Sequence, residues 1–400
     1  MDLSFLNPRL RTLLLLVAWL LPVAAQTQEW NDVLDEARGQ TVYFNAWGGD
    51  SAINQYIEWA TTRIYEDYGV SLRHVRVTDI AESVTRIVAE RAAGRDTNGS
   101  VDLLWINGEN FATLKRANLL YGPWAMNLPN AAYINWEGNP STTNDGALDT
   151  EGYELPWGTA AFTLFFDRTR VVEVPTSPDA LLRWIEHHPG RFSYPEPPSF
   201  LGSAFLKQML LALGADPVQL QSPAGENFAQ VTQPLWQWLD RAHPGMWRGG
   251  RLFPRSGPAQ RDLLAVGELD WMFSYNPSEA SRAILQGELQ DDIGALHLDA
   301  GALANSHFLA IPFNSGATAA ARVVANFLVS AEAQARKADE HYWGDPTVLD
   351  LAALDKIERR YFEQLTPGAA TPPPARRFLR EPHPSWNTRL EQAWLESYVR

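Results

Sequence analysis

The first third of the chain alternates short apolar runs with longer stretches in which apolar residues recur every three or four positions. The apolar runs predict strands at Thr41–Trp47, Val70–Val77 and Val101–Ile106. The helical spacings predict helices at Ser51–Tyr68, Ile80–Ala93 and Phe111–Ala117. This β-α-β-α-β-α order indicates a parallel sheet with right-handed crossovers, and therefore the α/β class.

The carboxyl ends of parallel strands share one edge of the sheet, and ligands of open α/β sheets bind in the crevice beyond that edge. The segment YFNAWGGD at Tyr43–Asp50 ends a strand in a tight turn before a helix. We expect Trp47, Gly48, Gly49 and Asp50 to form one wall of a ligand cleft. Thr78-Asp79 and Trp105–Asn110 follow the next two strands and should lie beside it. The alternative is that the tryptophans are packing residues and the glycines only turn the chain.

The second half predicts another group of strands and helices, and 400 residues are enough for two lobes. Its elements are predicted at Ala160–Phe166, Phe200–Leu213, Phe228–Arg241, Leu269–Tyr275 and Ile293–Leu298. Ser203 lies in the first turn of the second of these, where free backbone N–H groups can hold a carboxylate or phosphate. Ala302–Asn314 is interpreted as the return crossing to the first lobe. Tyr121–Asp149 is irregular and could serve as a lid.

Composition narrows the possible partners. Apolar residues make up 45% of the chain and charged residues 20%, which is typical of a globular protein. The net charge of −14 argues against nucleic acid and anionic membrane surfaces, since both favour a basic face. The absence of cysteine excludes disulfides, thiolate zinc sites and iron–sulfur clusters.

The N-terminus predicts export. Arg9 and Arg11 precede the apolar run Leu13–Leu21, and small residues end at Ala25, as in a secretory signal peptide over residues 1–25. The alternative is an uncleaved membrane anchor, but the apolar run is short for a membrane span. No other stretch is apolar enough to cross a bilayer, so we expect a periplasmic protein without membrane insertion.

An enzymatic interpretation depends on Gly49-Asp50-Ser51, which resembles the Gly-Asp-Ser nucleophile turn of some secreted esterases. Those enzymes also need an Asp-x-x-His pair near the C-terminus, whereas the pair here, Asp240 and His243, lies in mid-chain. A secreted hydrolase using Ser51 therefore stays an alternative, and we expect no enzyme. The eight histidines are scattered, and no metal site or cofactor is predicted.

The predicted cleft residues indicate a class of solute. Trp47, Trp105, Trp157 and Tyr275 offer aromatic faces, and Asp50 and Glu109 offer negative charge, the combination with which proteins hold organic cations. Sugars use the same residue types, so a sugar stays open, as does a metal-binding protein of the same fold. Glu109 could instead complement the dipole at a helix start. Tyr275 and Asn276 could instead be an ordinary strand end.

Four segments carry a family resemblance, and they span nearly the whole chain after the signal peptide. They are YFNAWGGD at Tyr43–Asp50, VDLLWINGENF at Val101–Phe111, ELPWGTAAFTLFFD at Glu154–Asp167 and SHFLAIPFNSGATAAARVVANFLVSAEAQ at Ser306–Gln334. Together they closely resemble the YnjB-type substrate-binding proteins of bacterial ABC transporters, which are related to thiamine-binding proteins.

The resemblance implies a two-lobed type II periplasmic binding protein fold, with the ligand cleft between lobes joined by crossing strands. It implies hinge closure on a small-molecule solute, delivery to ABC transporter permease subunits, and no catalysis. It puts Pro156, Trp157 and Gly158 at the first crossing and residues 305–308 near the second.

We therefore expect a monomer with a first lobe formed by residues 26–156 and 306–345, a second lobe formed by 157–305, and a C-terminal helical segment, 346–400, packing across the lobes. The favoured solute is an organic cation of the thiamine type. The predicted binding residues are Trp47, Gly48, Gly49, Asp50, Trp105, Asn107, Glu109, Trp157, Ser203, Tyr275, Asn276 and Asn305.

Overall fold

The computed structural model describes residues 28–146, 148–373 and 375–399, so the predicted signal peptide lies outside the described residues. After a helix over residues 28–37 (α1), the first elements follow the predicted order. They are β1 Thr41–Trp47, α2 Ser51–Tyr68, β2 Ser71–Val77, α3 Ala81–Ala92, β3 Leu103–Ile106 and α4 Glu109–Arg116.

Helix α2 shows how local sequence sets these elements. The Asp50 carboxylate accepts hydrogen bonds from the backbone N–H groups of Ala52 at 2.7 Å and Ile53 at 3.2 Å, so it caps the helix start. One face carries apolar side chains at helical spacing, all buried against the sheet. These are Ile53, Ile57, Ala60 and Ile64.

The first sheet is mixed rather than parallel throughout. β1 pairs in parallel with β2 on one side and β3 on the other, as predicted. A long strand from the second half of the chain, β10 (Ala302–Ala310), then pairs antiparallel with β3. β10 also pairs antiparallel with β6, Glu154–Ala161, and in parallel with the short β11, Phe378–Leu379. The crossing strands thus complete the sheet of the first lobe.

The second lobe contains a three-stranded antiparallel sheet. β7 (Thr163–Asp167) lies between β8 (Trp271–Ser274) and β9 (Ile293–Leu296). The helices of this part of the chain are α5 Pro178–His187, α6 Phe200–Ala212, α7 Phe228–Ala242, α8 Gly257–Ala265 and α9 Glu279–Leu285. A small hairpin in the irregular segment before β6 consists of β4 Asn144–Asp145 and β5 Leu148–Asp149.

The remaining helices divide between two apolar cores. α10 (Thr318–Leu328), α11 (Ala331–Ala338) and α12 (Lys356–Glu363) belong to the first lobe, where α12 lies against α11. α13 (Pro384–Tyr398) buries Trp386, Leu390 and Trp394 in the core of the second lobe. The segment after residue 345 thus contacts both lobes, while the predicted lobe boundaries stay a prediction. Across the described residues, no helix is both long and apolar enough to cross a membrane.

Candidate functional site

A cavity of about 360 Å³ lies where the two lobes and the crossing strands meet. Small-molecule sites in proteins usually range from about 300 to 1,000 Å³. β1, β2 and β3 contribute residues at their carboxyl ends, the second lobe contributes a facing wall, and β6 and β10 contribute the floor. The lining residues are Trp47, Thr78, Asp79, Ile80, Trp105, Asn107, Ala160, Phe200, Tyr275, Asn305 and His307.

The first-lobe wall is built around Trp47, the last residue of β1, whose side chain is 43% exposed. The chain turns back so closely here that a Cβ on Gly49 would overlap the Trp47 indole. Gly48 is as tightly placed, because its Cβ would lie 2.6 Å from the Cβ of Arg76. Gly49 therefore leaves room for the indole, Gly48 leaves room for Arg76, and neither glycine lines the cavity. Trp105 and Asn107, at the end of β3, lie on the same wall.

The carboxylate that borders the cavity is Asp79, not Asp50. Asp50 caps α2, and its second oxygen lies 3.5 Å from Nη2 of Arg282 on α9 of the second lobe. Asp79 follows β2 and is exposed, and its Oδ1 accepts a hydrogen bond from the Ala81 N–H at 2.9 Å. One oxygen of Asp79 therefore holds the start of α3 while the carboxylate faces the cavity.

The second-lobe wall is aromatic. The rings of Phe200, the first residue of α6, and Tyr275, just after β8, lie 5.1 Å apart, and Phe200 is 63% exposed. The Tyr275 hydroxyl donates to Glu381, which also accepts from Lys207 Nζ at 2.5 Å. Burial, reinforced by the Glu381 charge, raises the pKa of Tyr275 well above its ordinary value. The hydroxyl thus stays protonated and committed to Glu381, and Tyr275 offers its ring to a solute.

The floor comes from β10, where Asn305 and His307 alternate with buried neighbours and so share one face of the strand. His307 Nε2 lies 3.0 Å from Asp345 Oδ1, and the other oxygen of Asp345 pairs with Lys337, which is fully buried. A Cβ on Gly158 of β6 would lie 2.5 Å from Cδ2 of His307 and would overlap Asp345, so only glycine leaves room for this group.

Asp345 and Lys337 stabilise each other's charged forms. Burial raises the pKa of Asp345, but the nearby Lys337 and His307 outweigh it and bring the pKa below its ordinary value. Burial lowers the pKa of Lys337, and the Asp345 charge opposes that effect. Asp345 is therefore an ionised carboxylate whose charge Lys337 balances.

Trp157 lies in the core of the first lobe instead of the cavity, with its side chain fully buried. Its ring contacts four other aromatic rings at centroid distances between 5.1 and 6.4 Å. They belong to Phe44, Tyr56, Trp105 and Trp343.

Glu109, Ser203 and Asn276 also lie outside the cavity. Glu109 borders a different cavity, of about 340 Å³, together with Asp145 and His383. The buried Ser203 hydroxyl donates to Glu391 at 2.5 Å and so joins α6 to α13. Asn276 accepts from the Ser278 N–H at 2.9 Å and shapes the turn before α9.

The residues of the esterase interpretation do not come together. Ser51 begins α2 in the first lobe, whereas Asp240 and His243 lie at the end of α7, which packs into the core of the second lobe. His243 Nε2 lies 2.8 Å from the Tyr194 hydroxyl, and Asp240 accepts from the Tyr398 hydroxyl at 2.8 Å. Within the described part of the chain, no three His, Asp or Glu side chains are grouped so that they could hold a metal ion.

Six lining residues are absent from the predicted binding residues: Thr78, Asp79, Ile80, Ala160, Phe200 and His307. The first two carried a usable signal, because they follow a strand of the same sheet edge. The strand-edge rule places Thr78 and Asp79 beside the Trp47 wall without assigning either to the solute, and Phe200 is predicted only as the start of a helix. His307 had no local signal, since its partners lie far along the chain.

Comparisons with known proteins identify the family of the chain. A family model described as bacterial extracellular solute-binding protein matches residues 59–360. The chain is 45% identical to protein YnjB of Escherichia coli K12 over 381 residues, which cover 95% of this chain and 96% of YnjB.

Two solved structures show the same fold at low sequence identity. One is an extracellular solute-binding protein from Bordetella parapertussis, with a TM-score of 0.64, 13% identity, and coverage of 90% of this chain and 99% of that one. The other is the spermidine/putrescine ABC transporter substrate-binding protein PotD of Streptococcus pneumoniae, with a TM-score of 0.58, 14% identity, and coverage of 81% and 89%. The family model and the identity with YnjB show that the chain belongs to the bacterial extracellular solute-binding proteins.

Proposed function

We propose that this protein is the periplasmic receptor of an ABC importer that captures an organic cation between its lobes and delivers it to the permease. The observation that supports the cation is the composition of the cavity. Four aromatic side chains, Trp47, Trp105, Phe200 and Tyr275, surround a space with one carboxylate, Asp79. None of the described residues that line the cavity is Lys or Arg.

Aromatic faces and a carboxylate together favour a flat or alkylated cation. A cation over an aromatic ring gains about 0.5–1 kcal/mol at an exposed site and about 2 kcal/mol once water is excluded. Asp79 is exposed in this conformation and would lose water when the lobes close over a solute. A carboxylate that loses water needs a charged or hydrogen-bonding partner, and a cationic solute supplies one. Thiamine is a solute of this type, and so are protonated amines.

We expect the two lobes to close over a solute because the residues that line the cavity are divided between them. Trp47 and Asp79 belong to the first lobe, and Phe200 and Tyr275 belong to the second. A solute that contacts both walls binds the closed conformation better than an open one and shifts the population toward it. The Asp50–Arg282 pair already joins the lobes beside the cavity.

The experiment is a thermal-shift and tryptophan-fluorescence titration with thiamine, spermidine, a simple aromatic amine and several neutral sugars. We expect a cation to raise the melting temperature, because a ligand present at 100 times its Kd stabilises the folded state by about 2.7 kcal/mol. Asp79→Asn removes one charge from the cavity and should weaken that cation about tenfold or more, which corresponds to about 1.4 kcal/mol. Asp79→Asn should weaken a neutral sugar less than the cation, because the asparagine oxygen still accepts hydrogen bonds from hydroxyl groups.

Glu109→Gln is the matched control. Glu109 is an exposed acid that also follows a strand of this sheet edge, but it borders the other cavity. The Glu109→Gln substitution should therefore leave the affinity for the cation unchanged. A protein that binds only the sugars, or that converts any member of the panel to product, would contradict the proposal.

A further inference from the structure

His307 lines the cavity, and its hydrogen-bond partner, Asp345, is held in a buried ion pair with Lys337. Its ring lies between the crossing strands and the Trp105 ring, which meets it edge to face at a centroid distance of 5.4 Å. Nε2 lies 3.0 Å from Asp345 Oδ1, while Lys337 occupies the other carboxylate oxygen and donates to the Pro346 carbonyl at 2.8 Å. The two oxygens of Asp345 therefore have different partners, Lys337 at one and His307 at the other.

These contacts define which edge of the imidazole faces the solute. Cδ2 and Nε2 form the edge toward Gly158 and Asp345. Nδ1 lies on the opposite edge, and we find no hydrogen-bond partner for it among the described residues. Because His307 lines the cavity, this open edge is the one available to a bound molecule.

The hydrogen bond to Asp345 also determines which ring nitrogen of His307 carries a hydrogen. A carboxylate accepts hydrogen bonds only, so its neighbour Nε2 must carry a hydrogen. The Lys337 ammonium group pairs with the other oxygen of the same carboxylate. A neutral imidazole with its hydrogen on Nε2 has a lone pair on Nδ1, and the hydrogen bond at one ring nitrogen thereby determines the role of the other.

We propose that His307 is a specificity-determining residue that presents Nδ1 as a hydrogen-bond acceptor, so that the receptor selects solutes with an N–H donor over fully alkylated cations. Asp345 and Lys337 are positioning residues that act through His307. This inference rests on the proposed function, since it chooses among organic cations: a protonated amine or an amino-substituted ring satisfies Nδ1, and a quaternary ammonium group leaves it without a partner.

The first test reads the tautomer directly and needs no solute. The full mature chain, labelled with ¹⁵N in histidine, is studied at pH 7.5 by long-range ¹H–¹⁵N correlation spectroscopy, and His307→Asn identifies the His307 signals by their loss. We expect the pattern of a neutral ring protonated at Nε2. In Asp345→Asn/Lys337→Met, which removes both charges together, the signals should shift toward a mixture of tautomers. A ring protonated at Nδ1 in the wild-type protein would overturn the proposal.

The second test measures selectivity with two matched probes, 2-phenylethylammonium and its N,N,N-trimethyl analogue, which share ring and charge but differ in N–H donors. Calorimetry should show that the wild-type protein prefers the ammonium probe about tenfold. His307→Leu removes the acceptor and should reduce that ratio severalfold, whereas His307→Asn, whose side-chain oxygen can accept, should restore part of it.

The outcomes separate the two proposals. If both probes bind and His307→Leu leaves their ratio unchanged, the role of His307 is wrong while the cation receptor stands. If the wild-type protein binds neither probe nor any cation of the wider panel, the proposed function fails, and the inference fails with it.

Discussion

Alanine substitutions of Trp157 and Trp47, compared by the free energy of unfolding, test which tryptophan belongs to the core and which to the cleft. The sequence placed both at the ligand site, but Trp157 is fully buried and Trp47 is 43% exposed. An aromatic side chain buries about 150–250 Å², and at about 25 cal/mol per Å² its complete burial contributes on the order of 5 kcal/mol. Replacement of a buried tryptophan by alanine typically costs about 3–5 kcal/mol.

We therefore expect Trp157→Ala to lower the free energy of unfolding by about 3–5 kcal/mol, because it leaves a void among four aromatic rings. Trp157→Phe should cost less. It keeps most of the apolar contact, and it removes an indole N–H that has no hydrogen-bond partner among the described residues. Trp47→Ala should cost less than Trp157→Ala, at most about 3 kcal/mol, since 43% of the Trp47 surface is already in water. It should instead weaken solute binding.

Urea unfolding followed by both circular dichroism and fluorescence is the assay, because two lobes can unfold separately and the two probes would then disagree. Wild type, Trp157→Ala, Trp157→Phe and Trp47→Ala are compared at one pH. The packing argument would be refuted if Trp157→Ala and Trp47→Ala destabilised the protein equally, or if Trp157→Ala cost less than about 1 kcal/mol.

Two further predictions concern charged groups. The Asp50–Arg282 pair should contribute about 0.2–1 kcal/mol to the conformation in which the lobes meet, as partly exposed pairs do. A double-mutant cycle with Asp50→Ser, which keeps a helix cap, and Arg282→Gln should therefore show coupling in solute affinity; simple additivity would mean that the pair does not couple the lobes. Burial raises the pKa of Asp145 to about 7, although the Gly108 N–H acts in the opposite direction. The folded state thus keeps a proton that the unfolded state has lost, and stability falls as pH rises from about 4 to about 7. Asp145→Asn should reduce that slope in urea unfolding at pH 5, 6 and 7, and an unchanged slope would contradict the assignment.

The sequence predicted the first lobe well because its information is local. Apolar runs and helical spacing located β1 and α2 to the residue, and the rule that strand ends share one edge brought Trp47, Trp105 and Asn107 together. The second half was harder, because the direction in which β10 enters the sheet depends on where the crossing begins. Its antiparallel pairing with β3 could not be read from its own residues.

The role of an individual side chain often depends on residues far along the chain, which the local sequence does not reveal. Every residue of β6 is buried, so the strand has no alternation that would tell whether Trp157 faces a cleft or a core. Asp50 and Asp79 both follow a strand and accept hydrogen bonds at the start of a helix. Only the structure shows that Asp50 pairs with Arg282 of the other lobe, whereas Asp79 lines the cavity. Likewise, His307 acquires its partner only when Asp345 folds against it.

The two cores also constrain the order in which the chain can fold during synthesis. The first core joins residues before Trp157 to residues from Leu309 to Leu354, and the second joins residues after Ala160 to α13. Trp394 of α13 closes the second core, where its indole N–H donates to the Tyr194 hydroxyl at 2.7 Å. A nascent chain that has not yet reached α13 therefore lacks part of the second core, so that core cannot be complete until the last helix has been made.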